Sequence, residues 1–402
     1  MSWPLKKLSE VALINPRRAL IERADDVSTS FVPMEAVDEI LGEVTQTVTQ
    51  LFSKVKKGYT YFENQDVIFA KITPCMQNGK HAVVSDLIGE FGFGSTEFHV
   101  IRASAAVAPE WIHYFLRRNE TLSAAMKTFT GAVGQQRVPA AFLEELDIPL
   151  PHIDAQRQIA ARLKAQLAEV EKARQAAQAQ LRDIRLLRSR MLKEFFSELD
   201  AVPTKKLGDF ARTTSGSTPS RGDKRYWKPV EIAWVKTGEV AFTPITATEE
   251  GISKVALAEC SLSLLPPKTI LIAMYGQGKT RGQSAVLEIP ATTNQACFAI
   301  LPNETWEPDF LHLWLKSSYQ DLRDLSENRG GNQANLNGAL LSALEIPAPD
   351  RNQQQQIVAR IQSAMTEIDA IENSSKASLE DINRLPGRVL AQAFETQGHH
   401  HD

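Results

Sequence analysis

The sequence predicts an α+β protein: two β-rich globular domains joined by two long helices that pair as an antiparallel coiled-coil spacer, the whole arranged as a pseudo-twofold internal repeat. Three observations predict it. Residues 148–196 return without a gap as residues 346–394, both stretches carry a helical apolar seam, and the segments before each are short β-rich runs broken by Gly, Pro and Asn.

The repeat is read at a constant offset of 198 residues, which aligns Ile148 with Ile346, Pro149 with Pro347, Gln156 with Gln354, Ile184 with Ile382 and Phe196 with Phe394. Apolar residues then recur three or four apart: Ile159, Leu163, Leu167 and Val170, then Ala177, Leu181, Ile184, Leu187, Met191 and Phe195. Lys, Arg, Glu and Gln flank this narrow seam, the pattern of helices that bury a stripe against each other. Asp154 and Asn352 stand where they can cap the first turns, with Gln355 completing a capping box in the second copy. Pro386-Gly387 should kink or end the second helix near Leu385. The first copy carries Lys172, Arg174, Arg182, Arg185, Arg188 and Lys193, of which the second copy replaces Arg174 and Arg182 by Glu and Arg185 by Asn. A solvated helix face is the commoner use of such charges.

Taken from the start, the first globular unit is residues 1–147, with strands expected over Val44 to Leu51, Asp66 to Ile72, His81 to Val84 and Phe98 to Arg102, and a short helix over Pro109 to Arg118. Residues 148–199 are the central spacer, 200–345 the second globular unit, 346–396 the distal spacer, and 397–402 a tail whose Gly398-His399-His400-His401-Asp402 reads as an appended tag. The second unit repeats the plan of the first. Lys6-Lys7-Leu8 matches Lys205-Lys206-Leu207, VIFAKITPCMQNGKHAVV from Val67 matches ILIAMYGQGKTRGQSAVL from Ile270, and Pro109, His113 and Leu116 recur as Pro308, His312 and Leu315. Their loops differ: TPCMQNGKH stands against GQGKTRGQS, and NPRRALIERADD against SGSTPSRGDKRYWKP. A shared scaffold with different loops suggests one task performed on two targets.

Composition narrows the function classes. With 43% hydrophobic and 23% charged residues the chain reads as an ordinary soluble protein, and no apolar run approaches a membrane span, so a cytoplasmic location is expected. Cys75, Cys260 and Cys297 are too few and too scattered for a disulfide framework or a zinc cluster. A net charge of −3 does not advertise nucleic-acid binding, although a basic face can sit inside a neutral total.

Catalytic signatures fail one by one. Gly276-Gln277-Gly278-Lys279-Thr280 resembles a phosphate-cradling loop, but Ala273 stands where glycine is required and RGQSAVLEIP reads as turn and strand; a glycine-rich hairpin fits better. No Asp-x-Lys or Glu-x-Lys offers a metal-dependent nuclease element, and Pro266-Pro267 lies outside any methyltransferase-like Asn/Asp-Pro-Pro-aromatic loop. His113 and His312 sit among Trp, Leu and Phe, where packing is the expected role, and Cys75 has no evident His partner. Neither an enzyme nor a bound cofactor or metal is expected.

At this point the motifs carry a family resemblance. The I-P-x-P openings with Gln-rich first turns, the paired DVIFAKITPCMQNGK and ILIAMYGQGKTRGQSAVLEIPATTNQACFAI segments, and the Gly94-Ser95-Thr96-Glu97-Phe98 and Gly216-Ser217-Thr218-Pro219-Ser220 elements resemble the DNA-specificity subunit of Type I restriction-modification systems over essentially the whole chain. The resemblance implies that the two globular units are target recognition domains reading the halves of a split, asymmetric site in double-stranded DNA. It implies that the helices set the gap and dock two methyltransferase subunits, and that restriction subunits complete the full complex. A coiled-coil scaffold with protein- or RNA-binding heads is the alternative.

The expected DNA contacts are loop residues with bidentate or charged groups. In the first head these are Lys71, Thr73, Gln77, Asn78, Lys80, Ser95, Thr96 and Glu97. In the second they are Thr218, Ser220, Arg221, Lys224, Arg225, Tyr226, Tyr275, Gln277, Lys279, Thr280, Arg281, Asn294 and Gln295. Turn capping and strand-end hydrogen bonding compete for each, most of all for Ser95, Thr96, Asn294 and Gln295.

Overall fold

The apolar run Val67–Ala70 forms a strand buried on both faces, as an uninterrupted run of that length requires. Side chains alternate across a strand, and here both faces meet a core. Val67 and Phe69 pack with Trp111, Ile112 and Leu116, whereas Ile68 and Ala70 pack with Val32, Phe62, Phe98 and Val100. The second copy repeats the device: Ile270 and Ile272 join Phe310, Leu311 and Leu315, and Leu271 and Ala273 join Val235, Leu265 and Leu287.

A computed structural model of the chain describes residues 3–18, 20–132, 134–276, 278–327 and 335–395; Gln277 and the tail lie outside them. Two units result, Met1–Ala179 with Ser375–Asp402, and Gln180–Ser374. In the first, the antiparallel sheet runs Ala12–Ile14, Phe98–Ala103, Val67–Ala70, His81–Val83. A second sheet runs Val48–Leu51, Ser28–Val32, Phe91–Gly94, Thr60–Glu63, with Ser28–Val32 parallel to Phe91–Gly94. The second unit has a corresponding pair of sheets, the second with three strands where the first unit has four: Thr213–Ser215, Cys297–Ile300, Ile270–Ala273, Ser284–Val286, and Glu250–Ile252, Ile232–Val235, Ala291–Thr293, with its last two strands parallel. Strands that hold the domain openings to the spacers also repeat, Lys6 opposite Ile148 and Lys205 opposite Ile346.

The first three expected strands are shorter than predicted and the last runs one residue longer, to Ala103, and the sheet built on Ser28–Val32, Thr60–Glu63 and Phe91–Gly94 was not predicted. Its residues, STSFV and FGFG, lack an apolar run or a clear alternation. Gly94 is there because a Cβ would stand 2.5 Å from the Val32 carbonyl oxygen of the parallel neighbour.

The central helix is Ile153–Ser197 and the distal helix Arg351–Phe394. Within the first unit, Ala160 and Leu163 share a core with Leu390, Ala393 and Phe394, and Val170 and Arg174 line one groove with Ile382 and Pro386, so the segments run antiparallel. The second unit is likewise antiparallel: Arg188 pairs with Asp369 and Glu372, and Arg360 with Glu198. Each head therefore packs on the beginning of one helix and the end of the other. Trp111 meets Phe394 at 4.3 Å between ring centroids, and Phe310 meets Phe196, the repeat partner of Phe394, at 5.6 Å.

Three sequence expectations about the helices are corrected. The cap of the distal helix is Asp350, whose carboxylate accepts from the Gln353 amide at 2.9 Å while the Gln353 side chain accepts from the Asp350 amide at 3.2 Å, so the capping box lies two residues before Asn352 and Gln355. Of the kink or end expected at Pro386-Gly387, the end is excluded, since the helix runs on to Phe394. Proline costs about 3 kcal/mol in a helix interior, but Leu390 and Phe394 beyond it are buried, each contributing about 1.5–3 kcal/mol. The seam also shifts: Leu187 is 51% exposed, and Leu192 and Phe196 take the buried places expected for Met191 and Phe195. A strict seven-residue stripe drifts by roughly 20° per heptad around a straight helix, and here the face turns toward the second head's core.

Candidate nucleic-acid interface

In the first head three loops converge beyond the end of the Val67–Ala70 strand. The Lys71 amide donates to the Glu97 carbonyl at 2.8 Å, the Val138 amide to the Lys71 carbonyl at 2.9 Å, and the Thr73 amide to the Gln136 carbonyl at 2.9 Å. Arg137 grips the Glu97 carboxylate with Nη2 at 2.7 Å and Nε at 2.9 Å. That bidentate pair holds the Glu97 carboxyl below its ordinary range. Ser95 turns its hydroxyl to the Glu97 amide at 3.2 Å, which leaves Thr96 exposed at the tip. Lys71, Ser95, Thr96 and Glu97 are thus brought together.

The other first-head candidates lie apart from that cluster or turn inward. The Thr73 hydroxyl is buried. Lys80 sends its ammonium to the Val37 carbonyl at 2.7 Å, with Glu39 at 3.8 Å, and its side chain is only 17% exposed. Gln77 and Asn78 are exposed and line a groove with Asn119, Arg384 and Arg388.

In the second head, Gly216 passes over the strand end Thr293, where a Cβ would stand 1.8 Å from the carbonyl oxygen; this approach lets the Ser217 amide donate to that carbonyl at 3.0 Å. The crossing puts the exposed Thr218 hydroxyl 2.6 Å from Gln295 Oε1. Behind it, Trp234 donates to the Ser217 carbonyl and Trp227 to the Ser220 carbonyl, both at 3.0 Å. Arg221 lies 3.9 Å over the Trp227 ring and pairs with Glu250. Arg225 pairs with Asp223 at 2.7 Å, Tyr226 donates to Glu259 at 3.1 Å, and Lys224 is exposed. Asn294 spends its carbonyl oxygen on the Thr237 hydroxyl at 2.9 Å and the Ala296 amide at 3.1 Å.

The glycine-rich segment joins the antiparallel strands Ile270–Ala273 and Ser284–Val286, so it is a hairpin and opens no helix. Gly276, Gly278 and Gly282 have positive φ. Tyr319 donates to the Lys279 carbonyl at 2.6 Å and Arg323 to the Gly278 carbonyl at 2.7 Å, which props up the loop. Tyr275 and Lys279 are exposed and Thr280 is half-buried. Arg281 is 9% exposed, so it does not project with Lys279 as the sequence suggested. Gln277 lies outside the described residues.

Arg137 was missed by sequence reasoning. Its signal was the polar stretch Gln135-Gln136-Arg137 after two glycines, and at the 198-residue offset Gln135 meets Gln333, which lies outside the described residues. Among the described residues no group of three or more His, Cys, Asp or Glu side chains could hold a metal ion, and no helix is long and apolar enough to cross a membrane.

The repeated scaffold and its contrasting loops match one family twice, over residues 2–179 and 200–381: the Type I restriction modification DNA specificity domain. The chain belongs to this family. Among relatives, it is 37% identical to the EcoEI specificity subunit of Escherichia coli over 150 residues, 37% of this chain and 25% of that one. It is 33% identical to the MjaIX specificity subunit of Methanocaldococcus jannaschii over 196 residues, 48% of this chain and 42% of that one. The matched stretches thus span from a quarter to under half of those relatives. Among solved structures, a chain of a type I R-M system aligns with TM-score 0.77 at 20% identity, covering 98% of this chain and 97% of that one. The HsdS subunit from Thermoanaerobacter tengcongensis aligns with TM-score 0.65 at 21% identity, covering 98% and 96%. At these identities the likeness is one of fold.

Proposed function

We propose that this chain is the non-catalytic DNA-reading subunit of a Type I restriction-modification complex. Residues 1–147 and 200–345 act as the two target recognition domains, each taking one half of a bipartite, asymmetric duplex site. The segments 148–199 and 346–396 act as a ruler between them and as the docking surface for two methyltransferase subunits, with restriction subunits joining in the full assembly. One observation carries this reading: the two heads share the same four-stranded buried sheet, yet the loops beyond Ala70 and Ala273 present different chemistry, Lys71 with Arg137 and Glu97 in one, Thr218 with Gln295 and an exposed Lys279 in the other.

The chemistry of such loops suits groove reading. Asn and Gln match adenine edges, Lys and Arg match guanine or phosphate, and Glu can accept from cytosine N4. Lys and Arg contacts to phosphate set the register but carry no sequence information. Two heads on one face of B-DNA would place half-site centres on the order of 10 base pairs apart.

The test is methylome sequencing of cells expressing this chain with its methyltransferase subunit, against cells carrying that subunit alone. Two short, different half-sites separated by a fixed gap are expected. A palindromic motif would mean one head acts twice, and an assembled complex with no motif would overturn the reading in favour of a scaffold.

A further inference from the structure

The first unit carries a cluster of buried nitrogens that its own residues leave unsatisfied. His81 is fully buried and neither of its ring nitrogens has a hydrogen-bond partner; His113, 4% exposed and 5.6 Å away between ring centroids, leaves Nδ1 unpaired. Arg117 donates from Nη2 to the carbonyls of Glu39 and Ile40 at 3.3 and 2.6 Å, but its Nη1 is buried with no partner. Burial pushes the Arg117 guanidinium pKa down and that of both imidazoles well down, so the rings are neutral and each keeps one N–H to donate. A buried donor left unpaired has lost its water without a replacement, and the cost is larger for a charged group.

The second unit is an internal control. The position of His81, first in its strand, is held by Ser284; His113 recurs as His312; and Arg117 becomes Lys316. There the Ser284 hydroxyl meets His312 Nδ1 at 3.2 Å, and the half-buried Lys316 holds its ammonium 5.6 Å over the Phe242 ring. One copy of the frame satisfies the position internally and the other does not.

His81 and Arg117 also line a groove of about 650 Å³ whose far wall is the distal helix, with Arg384 and the exposed Arg388. Its carboxylates are engaged elsewhere, Glu39 near Lys80 at 3.8 Å and Glu120 with Arg118 at 3.3 Å, and Arg384 is paired with Asp381 at 3.3 Å, which leaves the charge of Arg117 and Arg388 in excess. We propose that this groove binds a phosphate-type oxyanion, with Arg117 and Arg388 supplying charge and His81 a neutral N–H. A guanidinium and an imidazole N–H among the lining of one polar cavity suit tetrahedral oxygens. The same chemistry would serve a DNA backbone phosphate or a free phosphate, and the first source rests on the DNA-reading proposal above.

The experiment is calorimetric titration of the full chain with inorganic phosphate. Saturation at one phosphate per chain is expected, with affinity falling roughly tenfold or more in Arg117→Gln and His81→Ser, the size of one charge-assisted hydrogen bond. Arg388→Ala, at an exposed position that cannot threaten the core, should weaken it in the same direction. No saturable uptake by the folded protein overturns the site, and so does uptake that none of the three substitutions alters, which is an adventitious ion only. A non-specific duplex separates the sources. Displacement of phosphate by the duplex, with the salt slope of DNA binding reduced by about one in Arg388→Ala, assigns the groove to a backbone phosphate. Simultaneous binding of both assigns it to a free anion. The phosphate titration needs no DNA, so its failure is distinct from failure of the DNA-reading role.

Discussion

Gln354 makes in the second unit the three hydrogen bonds that Gln156, 198 residues earlier, makes in the first. Gln156 accepts from the Ala108 amide at 2.9 Å and donates to the carbonyls of Ala106 and Pro151 at 3.1 and 2.8 Å; Gln354 accepts from the Glu307 amide at 2.7 Å and donates to the carbonyls of Thr305 and Pro349, both at 2.8 Å. Both side chains are fully buried. Each glutamine fastens the start of a spacer helix to the start of a head helix. Trp111 and Trp306 reinforce the joint from different chain positions, donating to the repeat-related carbonyls of Pro149 and Pro347 at 2.8 and 3.0 Å.

Gln156→Ala strands one buried amide and two carbonyls, so a loss of about 2–5 kcal/mol is expected in denaturant unfolding of the first unit. Gln156→Glu should be no better. Its carboxylate can still accept from Ala108 but faces two carbonyl oxygens with no proton to donate. Recovery of near-native stability by the glutamate would show that the donor bonds contribute little.

The exchange of helix ends between heads gives a non-local prediction. Phe394→Ala should cost about 3–5 kcal/mol, as deletion of a buried ring does. Its effect should appear as faster hydrogen exchange in Val67–Ala70 and Pro109–Leu116, more than 270 residues away in sequence for the latter. Phe196→Ala should do the same to Ile270–Ala273 and Pro308–Ser317. Equal loss of protection in both units from either substitution would contradict the division of the core.

The duplication and the buried strands were legible because they rest on identity and periodicity, which survive without tertiary knowledge. The Gln-rich first turn was legible as a motif, but the contacts of Gln156 were not, since its partners Ala106 and Ala108 carry no polar side chain to mark the site. Leu187 was misplaced because a seam read at fixed spacing ignores the turn of the helix toward a head. The loop residues were the least legible. Lys80 and Arg281 have the composition of DNA contacts, yet the first is drawn to a carbonyl and the second is buried, while Arg137 was hidden in a stretch with no strand or helix pattern.

Burial of His312 makes the second unit acid-sensitive. Its pKa is lowered from 6.5 to about 4, chiefly by desolvation, and it is the one histidine in Gln180–Ser374. The unfolded chain therefore takes up a proton that the folded unit refuses, so the stabilisation is full above pH 6.5 and is lost as pH falls from 6.5 toward 4. The loss is at most about 3 kcal/mol. Denaturant unfolding followed at neutral and at mildly acidic pH should show it, and His312→Asn, which does not titrate, should remove the second unit's share. An unchanged pH dependence in that variant would mean the proton uptake lies elsewhere.

Lys279 and Gln295 should separate charge from sequence reading in the second head. Lys279 is exposed on a propped hairpin with no sequence-specific geometry, so Lys279→Ala is expected to weaken duplex binding similarly for every sequence and to lower the salt slope by about one. Gln295 is exposed and oriented by the Thr218 hydroxyl, which leaves its amide N–H groups to project from a strand end fixed by Gly216. Gln295→Ala should cost about 1–3 kcal/mol of discrimination at one base pair. The methylome would then show one degenerate position in one half-site, with the other half-site and the gap unchanged. If both half-sites relaxed together, Gln295 would be acting through the fold of the chain. If neither did, the Thr218–Gln295 contact would be a strand-end clasp, and reading by this head would fall to the hairpin and to the Arg221–Trp227 loop.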